Sequence, residues 1–302
     1  AAALPAAAAA ALAVIAARTR CRAKGFGAPA KKKKKVATAS APTVGDTDLR
    51  SLDMRVKAAV ERYMPDMIEG LRTKGWYDSG ESVLAAAQNK AMRKEVEALW
   101  KADKFKLSQS TRGGTEYYDK ENVYATEIDG GKYDLAPRMC TYTVATTRAI
   151  AEEISKAFPE AQLSAQYIGN KLNFSSGNGA TFDAHLDMGV GEKPFNRKLT
   201  LLLYINPNWR PDLGGEIELL GEGRTEEETQ LDTGTAAAGL PVKIEPTSGR
   251  WVAFWSDKML HKVLPAFAPG GVPDYRCSYT IWFCTEDTPD APPAPPPASP
   301  TA

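Results

Sequence analysis

Apolar positions change their period once along the chain. Between residues 46 and 160 they recur every three or four: Val60, Met64, Met67, Ile68 and Leu71 form one stripe, Met92, Val96, Leu99 and Trp100 a second, Ile150, Ile154, Ala157 and Phe158 a third. Such spacing gathers each set on one side of an α-helix, so 46–160 is expected to be a helical support region whose stripes face a core. From residue 161 the period shortens. SAQYI, RKLTLLLYIN, GGEIELL, PVKIEP, GRWVAFW and YRCSYTIWF are short apolar runs separated by Gly, Pro and Asn, the pattern of antiparallel strands joined by turns. The expected fold class is α+β: a double-stranded β-helix, or jelly roll, over 161–287, with the N-terminal helices packed on one side. Within the helical half, 104–131 is polar and broken by glycine, with Tyr117, Tyr118 and Tyr124 inside it. It is read as a loop, either over a site or a plain surface excursion.

The two ends add segments that cannot join that core. Residues 1–45 are rich in alanine and hold nine Lys/Arg with no Asp or Glu, which fits an organelle targeting peptide; a plastid is expected, with a mitochondrion or the secretory pathway as alternatives. Its apolar stretch is short and made of alanine, so no membrane anchor is expected. The lysine run at 31–35 is read as a solvated linker. Residues 288–302 form a Pro-rich tail, a spacer or docking peptide rather than a folded element. Taking the head's nine cations from 38 leaves 29 basic against 37 acidic residues, a net charge of −8 for 46–302, so the body is not a basic nucleic-acid binder. The four cysteines, Cys21, Cys140, Cys277 and Cys284, are too few and scattered for a disulfide framework, and an odd spacing of seven puts Cys277 and Cys284 on opposite faces of a strand.

Chemistry is concentrated around two histidines, His185 and His261, the only ones in the sequence. His185-Leu186-Asp187 is an i, i+2 pair, and on an extended chain such residues point the same way, so both side chains can grip one ion. His261 follows GRWVAFWSDKML, where a neighbouring strand can bring it to the same point. Two imidazoles and one carboxylate occupy one face of an octahedral Fe(II) and leave three adjacent positions open for a co-substrate and dioxygen. If that co-substrate is 2-oxoglutarate, its far carboxylate needs a buried cation. Arg276 sits on the terminal strand with Ser278, Thr280 and Trp282 on its face, and a guanidinium gives a carboxylate two parallel hydrogen bonds. Tyr204, on a face with Thr200 and Leu202, is a second donor to that carboxylate, and Tyr167 is a similar candidate nearer the mouth.

These pieces, in order, carry a family resemblance. YIGN at 167–170, HLD at 185–187, RKLTLLLYINPNW at 197–209, GGEIEL at 214–219, IEPTSGRWVAFWSDKMLHKVLP at 244–265 and RCSYTIW at 276–282 resemble the prolyl hydroxylase-domain (prolyl 4-hydroxylase-like) group of 2-oxoglutarate oxygenases. GLRTKGW at 70–76 and EVEALWKADKF at 95–105 resemble the family's N-terminal support more loosely. The resemblance implies His185, Asp187 and His261 as Fe(II) ligands, Arg276 as the 2-oxoglutarate anchor, and Tyr204, Thr280 and Tyr167 as its hydrogen-bonding partners. It implies a dioxygenase that hydroxylates a prolyl residue of a peptide or protein, consumes O2, releases succinate and carbon dioxide, and uses ascorbate as reductant. Two departures, the long connection at 222–240 and FAPGGVPDY at 267–275, would reshape the substrate rim. Three alternatives stay open: an oxygenase acting on another residue or a small molecule, a zinc hydrolase built on the same three ligands, and a non-catalytic jelly-roll binding module.

Overall fold

The computed structural model describes residues 46–112, 116–188, 197–223, 226, 234 and 237–285. The targeting peptide assigned to 1–45 with Cys21, the tail at 288–302 and most of the 222–240 connection lie outside the described residues.

The three apolar stripes each lie on a helix: α1 (Asp46–Thr73), α2 (Ala86–Lys101) and α3 (Pro137–Ala157). The strands are β1 (Trp76–Ser82), β2 (Lys106–Arg112), β3 (Glu116–Thr126), β4 (Leu163–Ser175), β5 (Ala180–His185), β6 (Arg197–Tyr204), β7 (Ile217–Glu222), β8 (Val242–Ile244), β9 (Arg250–Trp255), β10 (Met259–Ala266) and β11 (Arg276–Thr285). They form a seven-stranded sheet in the order β1-β9-β6-β11-β4-β3-β2 and a four-stranded sheet in the order β5-β10-β7-β8, all pairs antiparallel. Two facing antiparallel sheets buttressed by helices are the expected double-stranded β-helix.

The central strands read as unbroken apolar runs because both their faces are covered. Leu199, Leu201 and Leu203 of β6, with Trp251 and Ala253 of β9, join the helices in one core; Leu202 and Tyr204, with Val252 and Phe254, turn inward to the second core between the sheets. On β11 the same alternation separates chemistry from packing. Cys277, Tyr279, Ile281 and Phe283 go to the helix side, which leaves Arg276, Ser278, Thr280 and Trp282 on the inner face. Cys277 and Cys284 accordingly lie on opposite faces of β11, and the three described cysteines are unbridged.

Residues 46–160 are not helical throughout, as the periodicity led us to expect. They also contain β1, which pairs with β9 at one edge of the larger sheet, and the β2–β3 hairpin, which extends the other edge through β4. The hairpin covers most of the stretch read as a loop. Its strand character is hidden because Lys106, Ser108, Gln109 and Lys120 line a cleft instead of a core, so no apolar alternation marks them.

Two long-range polar contacts tie the helices to this frame. Ala136 offers no side chain to cap α3, and the Glu95 carboxylate of α2 instead accepts the backbone N–H groups of Arg138 and Met139, each at 3.0 Å. Arg93, also on α2 and buried, donates from Nη1 to the carbonyls of Ile205 (3.2 Å) and Tyr275 (2.9 Å), and from Nη2 to those of Val272 (2.6 Å) and Pro273 (3.3 Å). It thereby holds the residue after Tyr204 to the residue before Arg276.

Candidate metal centre and co-substrate pocket

His185 closes β5, and His261 is the third residue of β10; the two strands pair with these histidines directly opposite each other. The rings stand 4.4 Å apart, and Asp187, two residues past His185, brings Oδ1 to 3.7 Å from Nε2 of His185 and 3.9 Å from Nε2 of His261. All three donor atoms lie within 4.8 Å of one another, a group able to hold one ion. Each imidazole is oriented by its own strand. Nδ1 of His185 meets the carbonyl of Asp183 at 2.7 Å and Nδ1 of His261 that of Met259 at 3.0 Å, which puts the proton on Nδ1 and leaves the Nε2 lone pair for the ion. The Asp187 carboxylate is held as firmly. The Thr200 hydroxyl donates to Oδ2 at 2.7 Å and pairs with Ser256 at 2.8 Å, leaving Oδ1 facing the two rings.

Electrostatics favour the state a metal needs. Burial, assisted by His261 alongside, brings the His185 pKa down to about 4, so the ring is neutral at physiological pH. Burial pushes the Asp187 carboxyl up, but His261, His185, Arg197 and the Thr200 hydroxyl outweigh it and bring the pKa down to about 2. Neutral imidazole and ionised carboxylate are the ligating forms.

The group opens into a cleft of about 940 Å³ lined by both sheets. Arg276, 6% exposed, lies in its wall beside Leu202, Ile217 and Val263. Its Nε donates to the Gly215 carbonyl at 2.6 Å and Nη1 to the Ser278 hydroxyl at 3.0 Å. Gly215 has φ +78°, and a Cβ there would meet the Arg276 side chain at 2.7 Å, so the glycine lets the backbone grip the guanidinium. Tyr204 is fully buried, with its ring 5.3 Å from that guanidinium carbon, and its hydroxyl hydrogen finds no acceptor among the described residues. Burial raises its pKa to about 12, against the opposing pull of Arg276, so the group is a proton donor. A buried orphan hydroxyl beside a guanidinium with spare N–H groups fits the distal carboxylate of 2-oxoglutarate. Thr280 also lines the cleft, opposite Leu202 in the sheet. The Tyr167 side chain lies outside the described residues. On β4, Arg276 pairs with Ser175, eight residues from Tyr167, or about 26 Å along an extended strand, so Tyr167 does not belong with this group.

Several site residues escape notice in the sequence. Thr200 is visible there only as a face-mate of Tyr204, yet it fixes Asp187. Arg197 donates to the Asp187 carbonyl at 3.0 Å and stacks 4.0 Å over the Trp282 ring, whose own Nε1 has no partner. Lys120 lays its ammonium 4.1 Å from the Phe182 ring centroid, and Lys171 rises from the β4 position opposite Thr280. Alternation within β4 was the available signal for Lys171, since the buried Leu172 and Phe174 imply that 171 and 173 face the other way.

Two imidazoles and a carboxylate at the mouth of a jelly roll, with a buried guanidinium in the wall of the same cleft, fit a non-haem iron centre of the 2-oxoglutarate type. In agreement, residues 170–284 match the 2OG-Fe(II) oxygenase superfamily. The matched segment includes His185, Asp187, His261 and Arg276, and the chain resembles the prolyl 4-hydroxylases. Over 115 residues it is 30% identical to the hypoxia-inducible factor prolyl hydroxylase of Caenorhabditis elegans, a match taking in 38% of this chain and 13% of that protein's length. A prolyl hydroxylase from Trichoplax adhaerens, solved with a hypoxia inducible factor oxygen degradation domain peptide fragment, superposes with a TM-score of 0.58 at 20% identity, covering 81% of this chain and 95% of that one. A prolyl-4-hydroxylase from Pseudomonas putida gives 0.54 at 21% identity over 73% and 98%. At such identities the two structures establish the shared fold.

Proposed function

We propose that the protein is an Fe(II)- and 2-oxoglutarate-dependent dioxygenase that hydroxylates prolyl residues of a peptide or protein, with His185, Asp187 and His261 as iron ligands. The observation that carries this reading is the convergence of those three side chains on one point of a cleft whose wall also holds Arg276, with the buried Tyr204 directly behind that guanidinium. A zinc hydrolase would have no use for the second half of that arrangement. When bound, Fe(II) with 2-oxoglutarate and O2 supplies the oxidising power to hydroxylate a C–H bond, with succinate and carbon dioxide as co-products. Everything else falls to this chain. The Asp183 and Met259 carbonyls keep the Nδ1 protons in place, Thr200 turns Asp187 so that one oxygen would face the ion, and Arg276 and Tyr204 would hold the distal carboxylate by charge-assisted hydrogen bonds. Thr280 adds a hydroxyl to the same wall.

The prolyl substrate is supported by the kinship with the Caenorhabditis elegans enzyme, and ascorbate as reductant by the resemblance to the prolyl hydroxylase group. The alanine- and lysine-rich head favours a plastid as the site of action. Aerobic incubation of the full chain with Fe(II), 2-oxoglutarate, ascorbate and proline-containing peptides, followed by mass spectrometry, tests the activity. One oxygen gained on proline per succinate formed is the expected result. Oxygen gained only on another residue would overturn the prolyl assignment, and peptide-stimulated turnover lost without ascorbate would support its role.

A further inference from the structure

Two lysines of the cleft have no task in the chemistry above. Lys171 stands on β4 opposite Thr280, and Lys120 reaches in from β3 to cover Phe182, three residues before His185. Both line the same cleft as His185 and Asp187. Other half-buried lysines nearby are matched by carboxylates: Lys132 by Asp129 at 2.9 Å, Lys198 by Asp257 at 2.7 Å, Lys262 by Glu226 at 3.0 Å. Among the described residues Lys120 and Lys171 have no such ion pair.

Their surroundings make this costly. Burial disfavours both ammonium groups, Lys171 repels Lys120, and Arg197, committed to Asp187 and Trp282, repels Lys171 in turn. The carboxylates that partly offset this are Asp183, Asp187 and Glu127. Asp187 is engaged by the metal centre, and none of the three lies within ion-pair distance of either lysine. Among the described residues, a run of cations along one wall of a cleft with no carboxylate at ion-pair distance from either lysine is the arrangement an anionic ligand would stabilise. The distal carboxylate of 2-oxoglutarate is already matched at Arg276. The unmatched charge therefore belongs to whatever enters from the mouth.

We propose that Lys120 and Lys171 form a carboxylate-binding subsite beside the metal centre, selecting substrates that carry an acidic group next to the residue to be hydroxylated. The inference rests on the oxygenase reading and narrows its substrate class. The carboxylate would come from an Asp or Glu side chain flanking the target in a peptide, or from the α-carboxylate of a terminal or free proline.

The test is anaerobic binding to the Fe(II)- and 2-oxoglutarate-loaded full chain. The probes are Gly-Asp-Pro-Asp-Gly against Gly-Asn-Pro-Asn-Gly, both blocked at the ends, and N-acetylproline against N-acetylprolinamide. The acidic member of at least one pair should bind about tenfold more tightly at low salt, the scale of a partly desolvated charge pair. That advantage should vanish in Lys120→Met/Lys171→Met and survive in Lys171→Arg. Preference in the peptide pair identifies a flanking side chain, and preference in the proline pair an α-carboxylate; either supports the subsite. No preference in either pair, including no binding at all, overturns it. So does a double variant that loses 2-oxoglutarate affinity while keeping the acidic preference. A blocked Gly-Asp-Ala-Asp-Gly peptide separates the two readings, since acidic preference without any need for proline would retain the lysine subsite and remove the prolyl assignment.

Discussion

Replacing Arg276 with Met should weaken 2-oxoglutarate binding about a hundredfold and leave Fe(II) binding unchanged. The guanidinium has five N–H groups; one goes to the Gly215 carbonyl and one to the Ser278 hydroxyl, so three remain for a ligand. A carboxylate taking two of them gains two charge-assisted hydrogen bonds of about 1.5 kcal/mol each at the lower end, together about 3 kcal/mol, or roughly two decades in Kd. Arg276→Lys, which keeps the charge but not the fork, should fall between, at about tenfold. Anaerobic calorimetric titration of 2-oxoglutarate into the Fe(II)-loaded protein gives the first number, and metal competition the second. Met fills a similar volume, and the main structural loss is the bond to Gly215, worth about 1 kcal/mol, so the variant should remain folded. A 2-oxoglutarate Kd within about threefold of wild type, or a parallel loss of iron affinity, would refute the anchoring role.

Tyr204→Phe removes a buried hydroxyl whose hydrogen has no acceptor, so stability to urea should change by no more than about 1 kcal/mol while 2-oxoglutarate affinity drops about tenfold; a destabilised variant with normal affinity would contradict this. Thr200→Val frees Asp187 Oδ2 and should lower metal affinity about tenfold in a competition assay, with the fold intact by circular dichroism. Arg93→Leu strips four backbone carbonyls of their donor and should cost about 3 kcal/mol in chemical denaturation. It should also raise the Kd for 2-oxoglutarate, because the ends of β6 and β11 lose their clamp; unchanged affinity would limit Arg93 to a structural role.

What could be read from the sequence was local or periodic. His185 and Asp187 are two apart, a spacing that lets both side chains face one point; the alternation of β11 alone separates Arg276, Ser278 and Thr280 from Tyr279 and Ile281. The helical stripes were equally plain, because Met67, Met92 and Ile154 repeat at the helical period and are fully buried. The β2–β3 hairpin was not legible, since its cleft-facing residues are polar and mimic a loop. Nor were the roles of Thr200, Glu95 and Arg93, which run through Asp187, Arg138 and Ile205, 13 or more residues away, and depend on tertiary placement. Tyr167 was drawn in by its motif, and only the β4–β11 register shows it to be far from Arg276 along the strand.

The most direct test of the central claim is anaerobic titration of residues 46–302 with Fe(II) and then 2-oxoglutarate, following the weak visible charge-transfer band of a bidentate 2-oxoacid on iron. Wild type should develop the band and His261→Ala should not. A folded wild-type protein that gives no band yet binds zinc tightly would contradict the assignment.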